Sequence, residues 1–188
     1  MNYIENQEYK NENFSQSFPT AEYDSCTFIN CGFSTGNLRG ITFSDCEFIN
    51  CDLSNASMAG TTFRDVNFKN CKLLGLRFDE CNPFLLSFSF TDCILNFSSF
   101  YKLKIKTTRF YGCKIEQVDF SAADLSFSAF KDCNMAGSTF QDTNLEKCDF
   151  RSASYFSIDP TKNRISGAKF SSRNIAYLLE SWNIIITD

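Results

Sequence analysis

Cys46-Glu47-Phe48-Ile49-Asn50-Cys51-Asp52-Leu53-Ser54-Asn55 decides the fold of this chain. It writes one five-residue phrase twice: a small or apolar residue, a polar one, a large apolar centre, then two residues suited to a turn. The phrase continues through Ala56-Ser57-Met58-Ala59-Gly60 and Thr61-Thr62-Phe63-Arg64-Asp65. Outward from there the centre is Tyr23, Phe28, Phe33, Leu38 and Phe43 on one side, and Phe68, Leu73 and Phe78 on the other. The rhythm then slips by two residues and resumes at Phe90, Leu95, Phe100, Ile105, Phe110, Ile115 and Phe120, continuing to Tyr155. All ten cysteines stand two positions before a centre.

A period of five matches neither the 3.6-residue helix nor the two-residue strand. Two inward residues per five suit a short extended piece followed by a turn, a unit that must stack on copies of itself to bury its apolar pair. Every fourth centre from Phe28 is again phenylalanine: Phe28, Phe48, Phe68, Phe90, Phe110, Phe130 and Phe150. Beside them run Cys31, Cys51, Cys71, Cys93, Cys113 and Cys133. Steps of 20 residues, and of 22 across the slip, predict four units per turn of a square coil. About seven coils at strand spacing give a rod of about 34 Å. The two extra residues, placed near 86–87, are expected to bulge outward so that the ladders resume in register.

The chain has 188 residues, 43% of them hydrophobic and 21% charged, which suits a single folded domain. It contains no histidine, so Ser-His-Asp, Cys-His and His-zinc chemistry are absent. The cysteines form no C-x₂-C pair of the zinc type; their column predicts buried free thiols packed as small apolar groups. No metal or other cofactor is expected. No run of 18 apolar residues predicts a membrane span, and the first ten residues lack the basic-then-apolar order of an export signal. A cytoplasmic location follows as the expectation, with reduced thiols.

Units such as Cys51-Asp52-Leu53-Ser54-Asn55, Ala123-Asp124-Leu125-Ser126-Phe127 and Cys148-Asp149-Phe150-Arg151-Ser152 resemble the A(D/N)LXX motif of the pentapeptide-repeat family. The resemblance covers roughly residues 21–170 and implies an all-β solenoid, a right-handed quadrilateral β-helix. Pro83 at a centre position and the slip after it depart from the motif.

The ends differ. Residues 1–20 lack the repeat and read either as a cap, with Phe14 and Phe18 folded over the first coil, or as a disordered lead. Ile165, Ala168 and Phe170 still fit the rhythm and are expected to close a last coil. Over 171–188, Ile175, Leu178, Leu179 and Trp182 lie at i, i+3, i+4 and i+7, predicting a short α-helix that Ser171 or Ser172 starts. Ile184-Ile185-Ile186-Thr187 reads as a strand. This end, through Ile158-Asp159-Pro160, Asn163, Gly167-Ala168-Lys169-Phe170-Ser171 and Leu178-Leu179, resembles the C-terminal module of bacterial quinolone-resistance (Qnr) proteins. The resemblance implies a homodimer made by the helix and strand (Ile175, Leu178, Leu179, Trp182, Ile184 and Ile186); a monomeric end cap is the alternative reading of the same stripe.

A filled interior leaves function to the exterior, and an enzyme is not expected. The Qnr resemblance implies an acidic rod that mimics DNA, binds DNA gyrase or topoisomerase IV and shields it from quinolones, without itself binding nucleic acid or membrane. The charge pattern supports this weakly. Glu22, Asp24, Asp45 and Asp65 share one face with Arg64, Lys104 and Lys106, and no face carries the dense negative stripe of a duplex, about one charge per 1.7 Å. Phe84, Leu85, Phe97, Tyr101, Tyr111 and Phe127 fall outside the inward columns and mark a partner surface if they cluster. The competing expectation is a scaffold with an unrelated protein partner.

Overall fold

A computed structural model describes residues 2–182, 184 and 185. The centres point inward and the chain winds as a parallel β-solenoid. The strands are β1 (Asn2–Glu5), β2 (Glu8–Lys10), β3 (Ala21–Asp24), β4 (Thr27–Ile29), β5 (Thr42–Ser44), β6 (Glu47–Ile49), β7 (Thr62–Arg64), β8 (Val66–Lys69), β9 (Phe88–Thr91), β10 (Arg109–Tyr111) and β11 (Ala129–Lys131). They form a four-stranded sheet, β1-β3-β5-β7, and a seven-stranded sheet, β11-β10-β9-β8-β6-β4-β2. The register is the sequence period: Phe48 pairs with Phe68, Phe68 with Phe90 and Phe90 with Phe110. Single bridges such as Gly32 to Asp52 and Asp119 to Thr139 continue the remaining sides.

Most corners have a residue in the left-handed region, and at several the side chain shows why. One corner column is Asn30, Asn50, Asn70, Asp92, Gly112 and Asp132, all with φ between 51° and 63°. These residue types adopt that region at least cost. Asn50 also donates to Asn30 Oδ1 (3.2 Å), and Asn30 to Asn11 Oδ1 (3.1 Å), so the corners are tied along the axis.

The seven predicted phenylalanines stack ring on ring, with centroids 4.7–5.4 Å apart. Tyr9 stacks below Phe28 and Phe170 above Phe150. A second aromatic ladder changes sides along the rod. It comprises Tyr23, Phe43 and Phe63 in the first half and Phe78, Phe100, Phe120 and Phe140 in the second. The change coincides with the slip.

Four expectations need correction. Residues 2–20 are neither a lead nor a separate cap but a coil in register: Tyr3 pairs with Glu22, Tyr9 with Phe28, and Phe14 stacks on Phe33. Phe18 does close this end, in contact with Tyr23, Phe28 and Phe33. The bulge lies just before 86–87. Pro83, Phe84 and Leu85 project, whereas Leu86 is buried and Ser87 rejoins the coil by donating to the Phe63 carbonyl (3.0 Å). Tyr155, counted as an inward centre, turns outward with φ 58°, and Phe156 enters the core in its place. Finally, the C-terminal segment forms two short 3₁₀ turns, Ile175–Leu178 and Glu180–Trp182, rather than an α-helix. No strand is assigned at Ile184 and Ile185, and Ile186 and Thr187 lie outside the described residues.

Candidate interaction surface

The interior is filled by packed side chains. All ten cysteines are buried free thiols. Burial pushes the Cys46 and Cys148 thiols up to about 12. No group of His, Cys, Asp or Glu able to hold a metal occurs among the described residues. Any site therefore sits on the corners and faces, where side chains leave the coil.

The bulge is the largest departure from a smooth exterior. Asn82 stays in the coil through its N–H to the Thr61 carbonyl (2.8 Å) and its amide to Thr62 Oγ1 (3.1 Å). Its own Oδ1 then accepts from Phe84 N (3.0 Å), which starts the turn. Leu85 follows at φ 55°. Phe84 and Leu85 are left 64% and 63% exposed, close to a surface groove of about 370 Å³ lined in part by Ser87, Ser89, Lys106 and Arg109.

The other outer aromatics do not join them in one patch. Phe97 and Tyr101 flank one face, at either side of Ser98 and Ser99. Phe127 lies at the corner column of Asp45 and Asp65, and Tyr111 one side further on, beside Lys131 and Arg151. Each of three rings carries a cation: Lys102 over Tyr101 (4.8 Å), Lys131 over Tyr111 (5.9 Å) and Lys147 over Phe127 (4.8 Å). These are single amphipathic contacts.

The predicted acids do gather at one edge. Asp45 and Asp65 occupy equivalent corners one coil apart, and Glu22 and Asp24 lie on the adjoining face. Asp24 accepts from Tyr3 (3.1 Å), which raises that phenol to about 12. Asp65 accepts from Ser87 (2.8 Å). Further up, burial opposes ionisation of Asp124, but hydrogen bonds from Ser126 and the Lys106 ammonium hold its carboxyl below the usual range. The acidic edge ends where Lys104 and Lys106 begin.

At the C-terminal end Leu178 is buried and Leu179 half-buried, whereas Ile175, Trp182 and Ile184 are 46–53% exposed. Tyr177, which the helical stripe omitted, packs on Phe156 (5.1 Å). Asn174 is the residue that sequence reasoning missed. Its buried amide donates to the Phe150 and Ala153 carbonyls (2.7 and 2.9 Å), closing the last coil. An isolated Asn after a polar run carries no signal of this role.

The family described as pentapeptide repeat region matches residues 21–88, 84–155 and 104–178. No curated protein sequence matches the chain. Among solved structures, it is similar to HetL, a pentapeptide repeat protein involved in heterocyst differentiation regulation from the cyanobacterium Nostoc sp. strain PCC 7120. The identity is 16%, the coverage 89% of this chain and 86% of HetL, and the TM-score 0.71. A trypsin-treated variant of QnrB1, a plasmid-mediated fluoroquinolone resistance protein, is 19% identical over 98% of this chain and 100% of that one, with a TM-score of 0.50. At these identities the likeness is one of fold.

Proposed function

The chain belongs to the pentapeptide-repeat family, and from that premise we propose that it is a non-enzymatic rod that binds a protein partner through its exterior. The observation behind this reading is the contrast between a core filled by stacked rings and thiols and a surface from which Phe84 and Leu85 project on a turn of their own. Such exposure of large apolar side chains is what interaction sites use. The rod works in the cytoplasm, where its ten thiols stay reduced, and needs no cofactor.

The exposed Ile175, Trp182 and Ile184 support a homodimer through the C-terminal end, with Ile186 outside the described residues. Light scattering tests this: twice 21.5 kDa supports it, and 21.5 kDa supports the monomeric cap.

A second reading names the partner as a type II topoisomerase, DNA gyrase or topoisomerase IV, bound in place of DNA and protected from quinolones. It is favoured by the acidic edge of Glu22, Asp24, Asp45 and Asp65, and by the likeness in fold to a fluoroquinolone resistance protein. Gyrase supercoiling in the presence of ciprofloxacin, with and without the protein, tests it. Rescue of supercoiling supports this partner. Neither rescue nor inhibition at any concentration assigns the rod to an unrelated partner.

A further inference from the structure

We propose that the interrupted side of the solenoid between Arg64 and Lys104 docks an extended acidic protein segment bearing an apolar residue; this deepens the reading of the exterior as an interaction surface. The four-stranded sheet ends at β7, and strand-like pairing on that side resumes only at the bridge from Lys104 to Asp124. The coil between them is the one that throws out Phe84 and Leu85.

The rim of this gap is basic on a protein whose net charge is −4. On the interrupted side Arg64 lies below it and Lys104 and Lys106 above; Lys102 stands at one corner, and Arg109 lies on the adjoining sheet in β10; Asp65, Glu80 and Asp124 are the nearby acids. Lys106 is held by Asp124 (3.3 Å) and Lys102 by the ring of Tyr101. Lys104 and Arg109 are exposed and have no ion-pair partner among the described residues. Arg64 is half-buried, and its Nε has no hydrogen-bond partner among the described residues.

Charge complementarity selects the occupant. An acidic segment meets Lys104, Arg109 and Arg64, and an apolar side chain covers Phe84 and Leu85. A nucleic-acid backbone is a poorer fit, because its unbroken phosphates would meet Asp65, Glu80 and Asp124 along with the cations. A membrane surface would meet the same acids.

The test is fluorescence anisotropy with a short labelled peptide of Glu and Ser carrying one central Leu. Saturable binding is expected, weakened about tenfold or more in a Lys104→Glu/Arg109→Glu variant and in a Phe84→Ser/Leu85→Ser variant. All four residues are exposed, so both variants should keep the parent's unfolding midpoint; Lys104→Gln alone, expected to weaken binding in the same direction, serves if either does not. The proposal is overturned by no saturable binding to the parent, by equal binding of a peptide with Lys in place of Glu, or by parent-like binding in either double variant. It is equally overturned if a DNA duplex or vesicles containing phosphatidylserine bind more tightly. Failure here leaves the gyrase and light-scattering results to be read on their own.

Discussion

Cys71 donates its thiol proton to the carbonyl oxygen of Phe48, 3.3 Å away and 23 positions earlier. The same bond joins Cys51 to Phe28, Cys93 to Phe68 and Cys133 to Phe110. At equivalent positions on other sides Ser98 bonds Leu73, Ser138 bonds Ile115 and Thr143 bonds Phe120. The small column therefore has two duties. It fills the space beside each ring and satisfies a carbonyl of the coil below, which accounts for Cys, Ser and Thr recurring where Ala alone would fill the volume.

Phe68→Ala should cost about 3–5 kcal/mol, because Phe68 is buried between Phe48 and Phe90 and neither ring can close the gap without leaving its own coil. Urea denaturation measures it. An unchanged midpoint would place Phe68 outside the core.

Alkali should destabilise the fold. Cys46 and Cys148 titrate near 9.0 in an unfolded chain and are pushed up to about 12 by burial in the native one. Between these values the unfolded chain has lost the protons that the native chain keeps. The stabilisation is therefore complete below pH 9 and is lost as pH rises toward 12, by about 1.4 kcal/mol per pH unit for each thiol. Urea midpoints across this range should fall, and a Cys46→Ala/Cys148→Ala variant should fall less steeply. Midpoints that rise with pH would contradict the burial.

Ala122 sits at φ 58° on an exposed corner, with no side-chain amide or carboxylate to offset the left-handed backbone. Ala122→Gly should stabilise by about 0.5–1 kcal/mol, the steric relief exceeding glycine's greater unfolded-state entropy. Calorimetry showing a lower Tm for the glycine variant would contradict this.

Asn174→Ala should cost about 1–3 kcal/mol by stranding the Phe150 and Ala153 carbonyls. Protease cleavage after Arg173 should accelerate as the end cap loosens; parent-like cleavage and stability would deny Asn174 that role.

The repeat was legible because a stack imposes identical demands on every coil, as the phenylalanine and cysteine columns show. It was least legible where a neighbouring coil is missing or the chain changes path. Ile4, Tyr9 and Phe14 keep the five-residue spacing, but the positions two before them are Asn2, Gln7 and Glu12, which lie exposed on the first coil and need not be small or apolar. At the slip, both Leu85 and Leu86 are large enough to fill the core; the turn begun at Asn82 leaves Leu86 inside. Near the top, Tyr155 and Phe156 compete for one inward place, and the residue without a hydroxyl takes it. The spacing alone marks the outer aromatics as outward, but their distribution over several corners depends on register around the coil rather than on distance along the chain.

Native-state thiol labelling followed by mass spectrometry tests most directly whether side chains one coil apart seal the interior. If they do, none of the ten cysteines reacts at neutral pH while the protein is folded, and all ten react once it is unfolded in denaturant. Prompt labelling of most of them in the folded protein would contradict the stacked coil and everything placed on its exterior.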